Sequence, residues 1–280
     1  MKEKIMQAVF AIIACVSILS VTLICLFLFV NGIPAIGKIG PLAFLSGTAW
    51  KPDKNIFGLA PMILGSLYVT AGAILTGVPT GVLTAVFMAR FCPQKLHGVL
   101  QSAVSLMAGV PSVIYGFFGL MVMVPAIRFL VGGSGKSMLT AAILLGMMIL
   151  PTIINVSETA IQAVPESYYE GALALGATHE RSVFFAVLPA ARSGIMAGVI
   201  LGVGRSIGET MAVIMVAGNQ AAIPDSLTHG LRTLTANIVM DMGYAADLHR
   251  EALIATGVVL FVFILIINVL FSLAKRGRTQ

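Results

Sequence analysis

Charge is what this sequence has least of. Aspartate, glutamate, lysine and arginine make up 10% of its 280 residues, against 58% apolar residues and a mean hydropathy of +1.01. A water-soluble domain carries roughly 25% charged residues, so this chain cannot cover itself with a solvated surface. A soluble enzyme or binding module is thereby excluded, and an integral membrane protein is indicated. Cysteine is also sparse: Cys15, Cys25 and Cys92 show neither disulfide nor metal-ligand spacing. The four histidines, His97, His179, His229 and His249, are scattered over loops without metal spacing and read as solvated. No metal and no cofactor is expected. The net charge of +6 would suggest nucleic acid in a soluble protein. Here it reflects lysines and arginines at the cytoplasmic ends of membrane helices, so no nucleic-acid partner is expected.

What the sequence does have is long apolar runs. They lie near 6–30, 62–89, 100–125, 138–157, 191–217 and 252–274, each at least the roughly 18 residues that mark a membrane span. The expected fold class is an all-α bundle of six transmembrane helices. Pro79, Pro111 and Pro151 fall inside runs and are expected as kinks within single spans, because neighbouring helices can satisfy the freed carbonyls. Ile12-Ile13-Ala14-Cys15 looks like a lipoprotein cleavage box, but the apolar run continues to Val30. A signal-peptide core is only about 7–15 residues long, so this is a first membrane helix. The expected division is residues 1–61, a first helix with an outer segment, and residues 62–280, a core of five helices with a cytoplasmic loop at 158–190. With the N terminus inside, nine lysines and arginines fall on the cytoplasmic side and seven outside, the tail Lys275-Arg276-Gly277-Arg278 being the clearest signal. Both termini are expected in the cytoplasm.

Residues 129–139, FLVGGSGKSML, resemble a phosphate-cradling loop. The full pattern is G-x-x-x-x-G-K-[ST] after a strand and before a helix. Counting back from Gly135-Lys136-Ser137, the first glycine is replaced by Leu130. The six-span arrangement also puts this stretch in the outer turn between spans three and four, away from ATP. It is expected to be a glycine turn.

Residues 158–190 are too polar to span and too patterned for a slack linker. Pro165-Glu166 suits a helix start and Gly176 a helix end. Tyr168, Ala172 and Leu175, at i, i+4 and i+7, give one apolar stripe. Such a helix either lies on the membrane or docks into a groove of a cytoplasmic partner.

Span five holds two ionisable residues, Arg205 near its centre and Glu209 four positions later. A charge at the bilayer centre costs at least ~2.5–3.5 kcal/mol, so such residues face a bundle interior or a wet pathway. On a continuous helix the two share a face and can pair. The structural reading is an intramembrane ion pair; the functional one is that Arg205 helps an anion through, with Glu209 modulating its charge. Beside them Ala190, Gly194, Gly198, Gly202, Ser206 and Thr210 repeat every four residues, a small-residue stripe that admits another helix.

The spacing in the polar insert resembles the loop of bacterial ABC-importer permeases, E-A-A, three residues, G, nine residues, I-x-L-P. Glu170-Gly171-Ala172 leads to Gly176, and nine residues later to Ala186-Val187-Leu188-Pro189. Gly171 and Ala186 depart from the pattern. The run from Gly202 to Val213, GVGRSIGETMAV, resembles the signature of the PstC-type phosphate permease family. Trp50-Lys51-Pro52 with Phe57-Gly58 and Pro61, the stretch from Ala108 to Gly116, and the stretch from Ala174 to Thr178 agree with that family. The resemblance implies a type I ABC importer permease bundle of the MetI-like kind in a bacterial plasma membrane, transporting phosphate and catalysing nothing itself. It implies three kinds of protein partner besides phosphate and the lipid bilayer: a PstA-type permease, a dimer of ATPase subunits and an external phosphate-binding protein. It places Arg205 and Glu209 on the phosphate path. It also makes Glu170, Gly171, Ala172, Gly176, Leu188 and Pro189 part of the ATPase coupling loop. The outer loop carrying Asp225, Asp241, Asp247 and Glu251, with residues 38–61, is either solvated or a contact for the binding protein. Alternatives are a permease for sulfate or molybdate and an intramembrane enzyme acting on phosphate-containing lipids. The enzyme would need an acid/base or nucleophile set, and apart from Arg205 and Glu209 no ionisable group sits deep in a span.

Overall fold

A computed structural model describes the backbone of residues 2–276 and the side-chain environments of residues 6–270. Gly277 and Arg278 of the basic tail lie outside the described residues, as do the side chains of Lys275 and Arg276. Six helices are long and apolar enough to cross a membrane: Met6–Ile39, Ala60–Phe91, Ser112–Val131, Met138–Gln162, His179–Gly208 and Asp247–Leu270.

The first belongs to α1 (Lys2–Ile39), which runs nine residues past the expected end at Val30 and carries Pro34 without breaking. Gly40, at φ 95, turns the chain into α2 (Pro41–Ser46). A two-residue hairpin follows, β1 (Trp50–Lys51) paired antiparallel with β2 (Ile56–Phe57), so that Trp50 faces Phe57. Next comes α3 (Ala60–Val86), which continues as a π-helical turn over Phe87–Phe91.

The third span departs from expectation. Instead of one kinked helix over 100–125, α4 (Gln94–Gly109) stops, Val110 is extended at ψ 125, and α5 (Ser112–Phe118) starts on Pro111. Proline lacks an amide and pushes the residue before it away from helical geometry. The Tyr115 hydroxyl donates to the Met107 carbonyl at 2.9 Å across the break. A π turn at Gly119–Met123 then leads into α6 (Val124–Val131). Pro79 in α3 and Pro151 in α7 (Met138–Gln162) lie within unbroken helices, as expected. These two helices pack tightly against each other, which keeps each helix continuous past the missing amide.

The polar insert is shorter than 158–190. Helix α7 extends to Gln162 and is followed by α8 (Glu166–Ala174) and α9 (His179–Ser182). A π turn at Val183–Val187 then joins α9 to α10 (Leu188–Gly208). Span five therefore begins at His179 and ends at Gly208, not at 217. Glu209 is extended at ψ 128, and α11 (Met211–Val216) is a separate short helix. A long loop, α12 (Leu234–Met242) and α13 (Asp247–Arg276) complete the chain.

Helix α7 is the most buried span and packs on both α3 and α10. The small-residue stripe faces it. A Cβ at Gly194 would stand 2.3 Å from Ala160 Cβ, one at Gly198 3.1 Å from Val156 Cβ, and one at Gly202 2.9 Å from Ile153 Cγ1. Helix α3 approaches α7 as closely: a Cβ at Gly77 would stand 2.7 Å from the Gly146 carbonyl oxygen, and Ile149 and Ile153 of α7 meet glycines of both α3 and α10. Ala190 is exposed and Thr210 lies beyond the helix end, so the working stripe is the stretch from Gly194 to Ser206. Helix α1 packs on α13 at the edge, with Lys38 and Glu251 paired at 2.6 Å.

Candidate translocation and coupling sites

Because α10 ends at Gly208, Arg205 and Glu209 do not sit one turn apart on one helix, and they form no ion pair. Glu209 instead serves the backbone. Its Oε1 accepts from the amides of Thr210 at 3.1 Å and Ala212 at 3.2 Å, and its carbonyl accepts from Thr235 Oγ1 at 3.1 Å. A carboxylate at the start of α11 satisfies amides that lack intrahelical partners. Beside it lies a polar cavity of about 10 Å³, room for one water. Ser206 Oγ, which lines it, is buried without a partner. Arg205 itself is exposed and has no hydrogen-bond or ion-pair partner among the described residues. It lies within electrostatic range of the Tyr115 hydroxyl beyond the break in span three. A free guanidinium in a membrane span cannot face lipid cheaply, so this side of α10 faces water or another subunit.

Helix α4 carries a second polar surface. The His97 ring meets Glu158 at 2.6 Å, and Gln162 donates to the same carboxylate oxygen at 3.0 Å. Gln101 donates to Asn155 at 3.3 Å. Glu158 is only 6% exposed. It is an ionisable group that the sequence reading left inside the polar insert; the structure places it in α7. His97 is thus engaged rather than solvated. The exposed residues Ser102 and Ser105 continue the polar face along α4.

At the same end of the bundle, α8 carries Glu170, Gly171 and Ala172, and Gly176 at φ 83 turns the chain after it, as expected from Pro165 and Gly176. None of its residues is fully buried. Tyr168 and Leu175 of the stripe are exposed, Leu175 at 90%, whereas Ala172 is half-buried. Leu188 and Pro189 are not in this loop; they open α10, well past the turn.

The opposite end holds the glycine turn. Gly132, Gly133 and Gly135 all have positive φ, and a Cβ at Gly135 would stand 2.2 Å from the Val124 carbonyl oxygen. Ser137 caps α7 through the Thr140 amide, and backbone bonds tie Ser137 to Val216 and Met138 to His229. No strand precedes the turn, so it lacks the strand-loop-helix frame of a phosphate cradle. Nearby, Asp241 is 5% exposed and takes hydrogen bonds from Trp50 Nε1 at 3.1 Å and the Tyr244 hydroxyl at 2.8 Å. Arg232 at 3.6 Å and His249 at 3.4 Å complete its surroundings. The bond to Asp241, with lesser help from burial and the carboxylate charge, raises the Tyr244 pKa above the usual phenol value. His229 holds Asp225 below the usual carboxylate range through a hydrogen bond. The cluster borders an open pocket of about 690 Å³.

Six spans, an exposed amphipathic helix at one end and an arginine near the end of span five with no partner among the described residues are the geometry of a transport subunit. Residues 77–279 match the family described as the binding-protein-dependent transport system inner membrane component. The chain belongs to this family. It is similar to YqgH of Bacillus subtilis, named a probable ABC transporter permease protein, at 38% identity over 90% of this chain and 85% of that one. It is also similar to the phosphate transport system permease protein PstC of Mesorhizobium japonicum, at 35% identity over 86% and 80%. A chain of the inward-facing MetNI methionine ABC transporter superposes with a TM-score of 0.63 at 19% identity, covering 83% of this chain and all of that one. A chain of the bacterial alginate importer gives 0.62 at 15%, covering 95% and 96%.

The permease therefore has the type I ABC importer fold of the MetI-like kind. His97, His179 and His249, expected to be solvated, are engaged with Glu158, Tyr169 and Asp241 respectively. Glu158 and Asp241 were legible as acidic residues, but only tertiary packing decides whether a polar residue beside a span is solvated or buried.

Proposed function

We propose that this permease is a membrane-spanning subunit of an ATP-driven inorganic phosphate importer. The observation that carries the reading is Arg205, exposed near the end of span five and without a partner among the described residues, within the run that resembles phosphate permeases; the name of the Mesorhizobium relative supports it. Arg205 offers a fixed cation to a passing anion. Glu209, tied to the Thr210 and Ala212 amides, stands close in sequence as a negative charge that keeps the anion from being held too tightly. The path is half-built by this chain; a homologous PstA-type permease supplies the rest. An external phosphate-binding protein delivers the substrate, and one of the two ATPase copies docks on α8. Glu170, Gly171, Ala172 and Gly176 shape the docking element, and Leu188 and Pro189 open α10 within the span that receives its motion. Binding and hydrolysis of ATP then alternate the access of the path between the two faces. Both termini lie in the cytoplasm of a bacterial cell, on the same side as α8. Residues 1–61 form a peripheral helix and outer segment around the core of 62–280; the edge position of α1, packed on α13, supports this division. The test is ATP-driven uptake by the assembled complex offered phosphate, sulfate and molybdate separately. Phosphate uptake that the other two anions do not match is expected; sulfate or molybdate uptake without phosphate uptake would overturn the assignment.

A further inference from the structure

The coupling helix α8 has no fully buried residue; it packs on α9 and the π turn that follows it, and a side chain from span two also reaches it. Arg90 projects from the π turn at the end of α3 and is only 13% exposed. Its Nη1 donates to Glu166 of α8 at 3.0 Å, and its Nη2 donates to the Ile161 carbonyl at the end of α7 at 3.4 Å. The guanidinium carbon lies 5.9 Å from the centre of the Tyr169 ring, also on α8. Tyr169 in turn meets His179 Nδ1 through its hydroxyl at 2.7 Å, and His179 packs edge-on against Phe91 at 4.8 Å. One planar cation therefore joins span two, span four and the docking helix, while α9 and span five are reached through Tyr169. Two π turns, at Phe87–Phe91 and Val183–Val187, flank this junction. Such turns are rare and concentrate at functional places in helices. Lysine cannot reproduce the arrangement, because a point charge lacks the fork that reaches two acceptors while stacking on a ring.

We infer that Arg90 is a positioning residue for energy coupling: it transmits displacement of α8 to spans two and four. This rests on the importer reading above. A lost hydrogen bond of ordinary net strength corresponds to about a fivefold change in an equilibrium, and the effect falls on coupling rather than on ATP hydrolysis by the partner. The experiment reconstitutes the complete complex, with both permeases, the ATPase and the binding protein, and measures phosphate moved per ATP hydrolysed. Arg90→Ala is expected to lower that ratio by about fivefold while hydrolysis stays within about twofold. Arg90→Lys is expected to recover part of the loss. Glu166→Gln, at a half-exposed position where folding is not at stake, is expected to lower the ratio less. An unchanged ratio in Arg90→Ala, or a parallel loss of uptake and hydrolysis in both variants, overturns the inference. If Arg90→Ala does not assemble, an unchanged ratio in Glu166→Gln overturns it. If the unaltered complex carries sulfate or molybdate instead, the importer's substrate is wrong, and the same ratio measured with that anion still decides the role of Arg90.

Discussion

Replacing Gly194 by alanine tests how α10 sits on α7. The added Cβ would stand 2.3 Å from Ala160 Cβ, whereas carbon atoms in favourable contact are about 3.5–4.0 Å apart. The helices must separate locally by more than an ångström. Helix α7 is held in place by its close packing on α3, where Gly77 lies against the Gly146 carbonyl and Gly81 against Ile153. Helix α10 must therefore move, loosening the contacts of Gly198 with Val156 and Gly202 with Ile153. Overpacking of this kind costs about 1–3 kcal/mol, and each kcal/mol lowers a melting temperature by about 2–4 °C in a chain of 150–250 residues. The assay is thermal unfolding of the purified protein in detergent. Gly204→Ala is the matched control, since its Cβ would meet nothing within 4 Å on the same helix. It is expected to be neutral or stabilised by up to about 1 kcal/mol from helix propensity. Equal melting temperatures for the two variants would refute the packing account.

Two further outcomes follow from single contacts. Glu209→Ala removes the acceptor for the Thr210 and Ala212 amides and is expected to destabilise by about 1 kcal/mol; Glu209→Gln keeps an acceptor and is expected to unfold near the wild-type temperature. Tyr244 is expected to ionise at higher pH than a free tyrosine, read as the phenolate absorbance that Tyr244→Phe removes, and Asp241→Asn is expected to bring it back towards the ordinary value. The sign follows from linkage: the bond to Asp241 is present in full below the unfolded phenol value near 10.0 and is lost as pH rises through the folded one.

The six spans were legible because long apolar runs have few alternatives, and the glycine stripe because period-four small residues have one use in a membrane helix. Pro165 and Gly176 bounded the docking helix for similarly local reasons. What was not legible depends on competition between backbone and surroundings. Pro111 breaks its span while Pro79 and Pro151 do not, because α3 and α7 are braced by each other. Glu209 looked like the second half of an i, i+4 pair until its carboxylate proved to be spent on amides at a helix break. Glu158 and Asp241 gave no periodic signal, and only their neighbours from distant segments make them buried. Leu188 and Pro189 fit the loop spacing yet fold inside a span, since nothing between His179 and Gly208 interrupts the helix.

The most direct measurement is phosphate uptake by the reconstituted complex carrying Arg205→Ala, with assembly and melting temperature recorded alongside. Arg205 makes no contact that holds the fold among the described residues, so the variant is expected to assemble and unfold like the wild type while ATP-driven uptake falls by about tenfold, the equivalent of roughly 1.4 kcal/mol. Wild-type uptake rate and affinity in a correctly assembled Arg205→Ala complex would contradict a phosphate path that runs past this arginine.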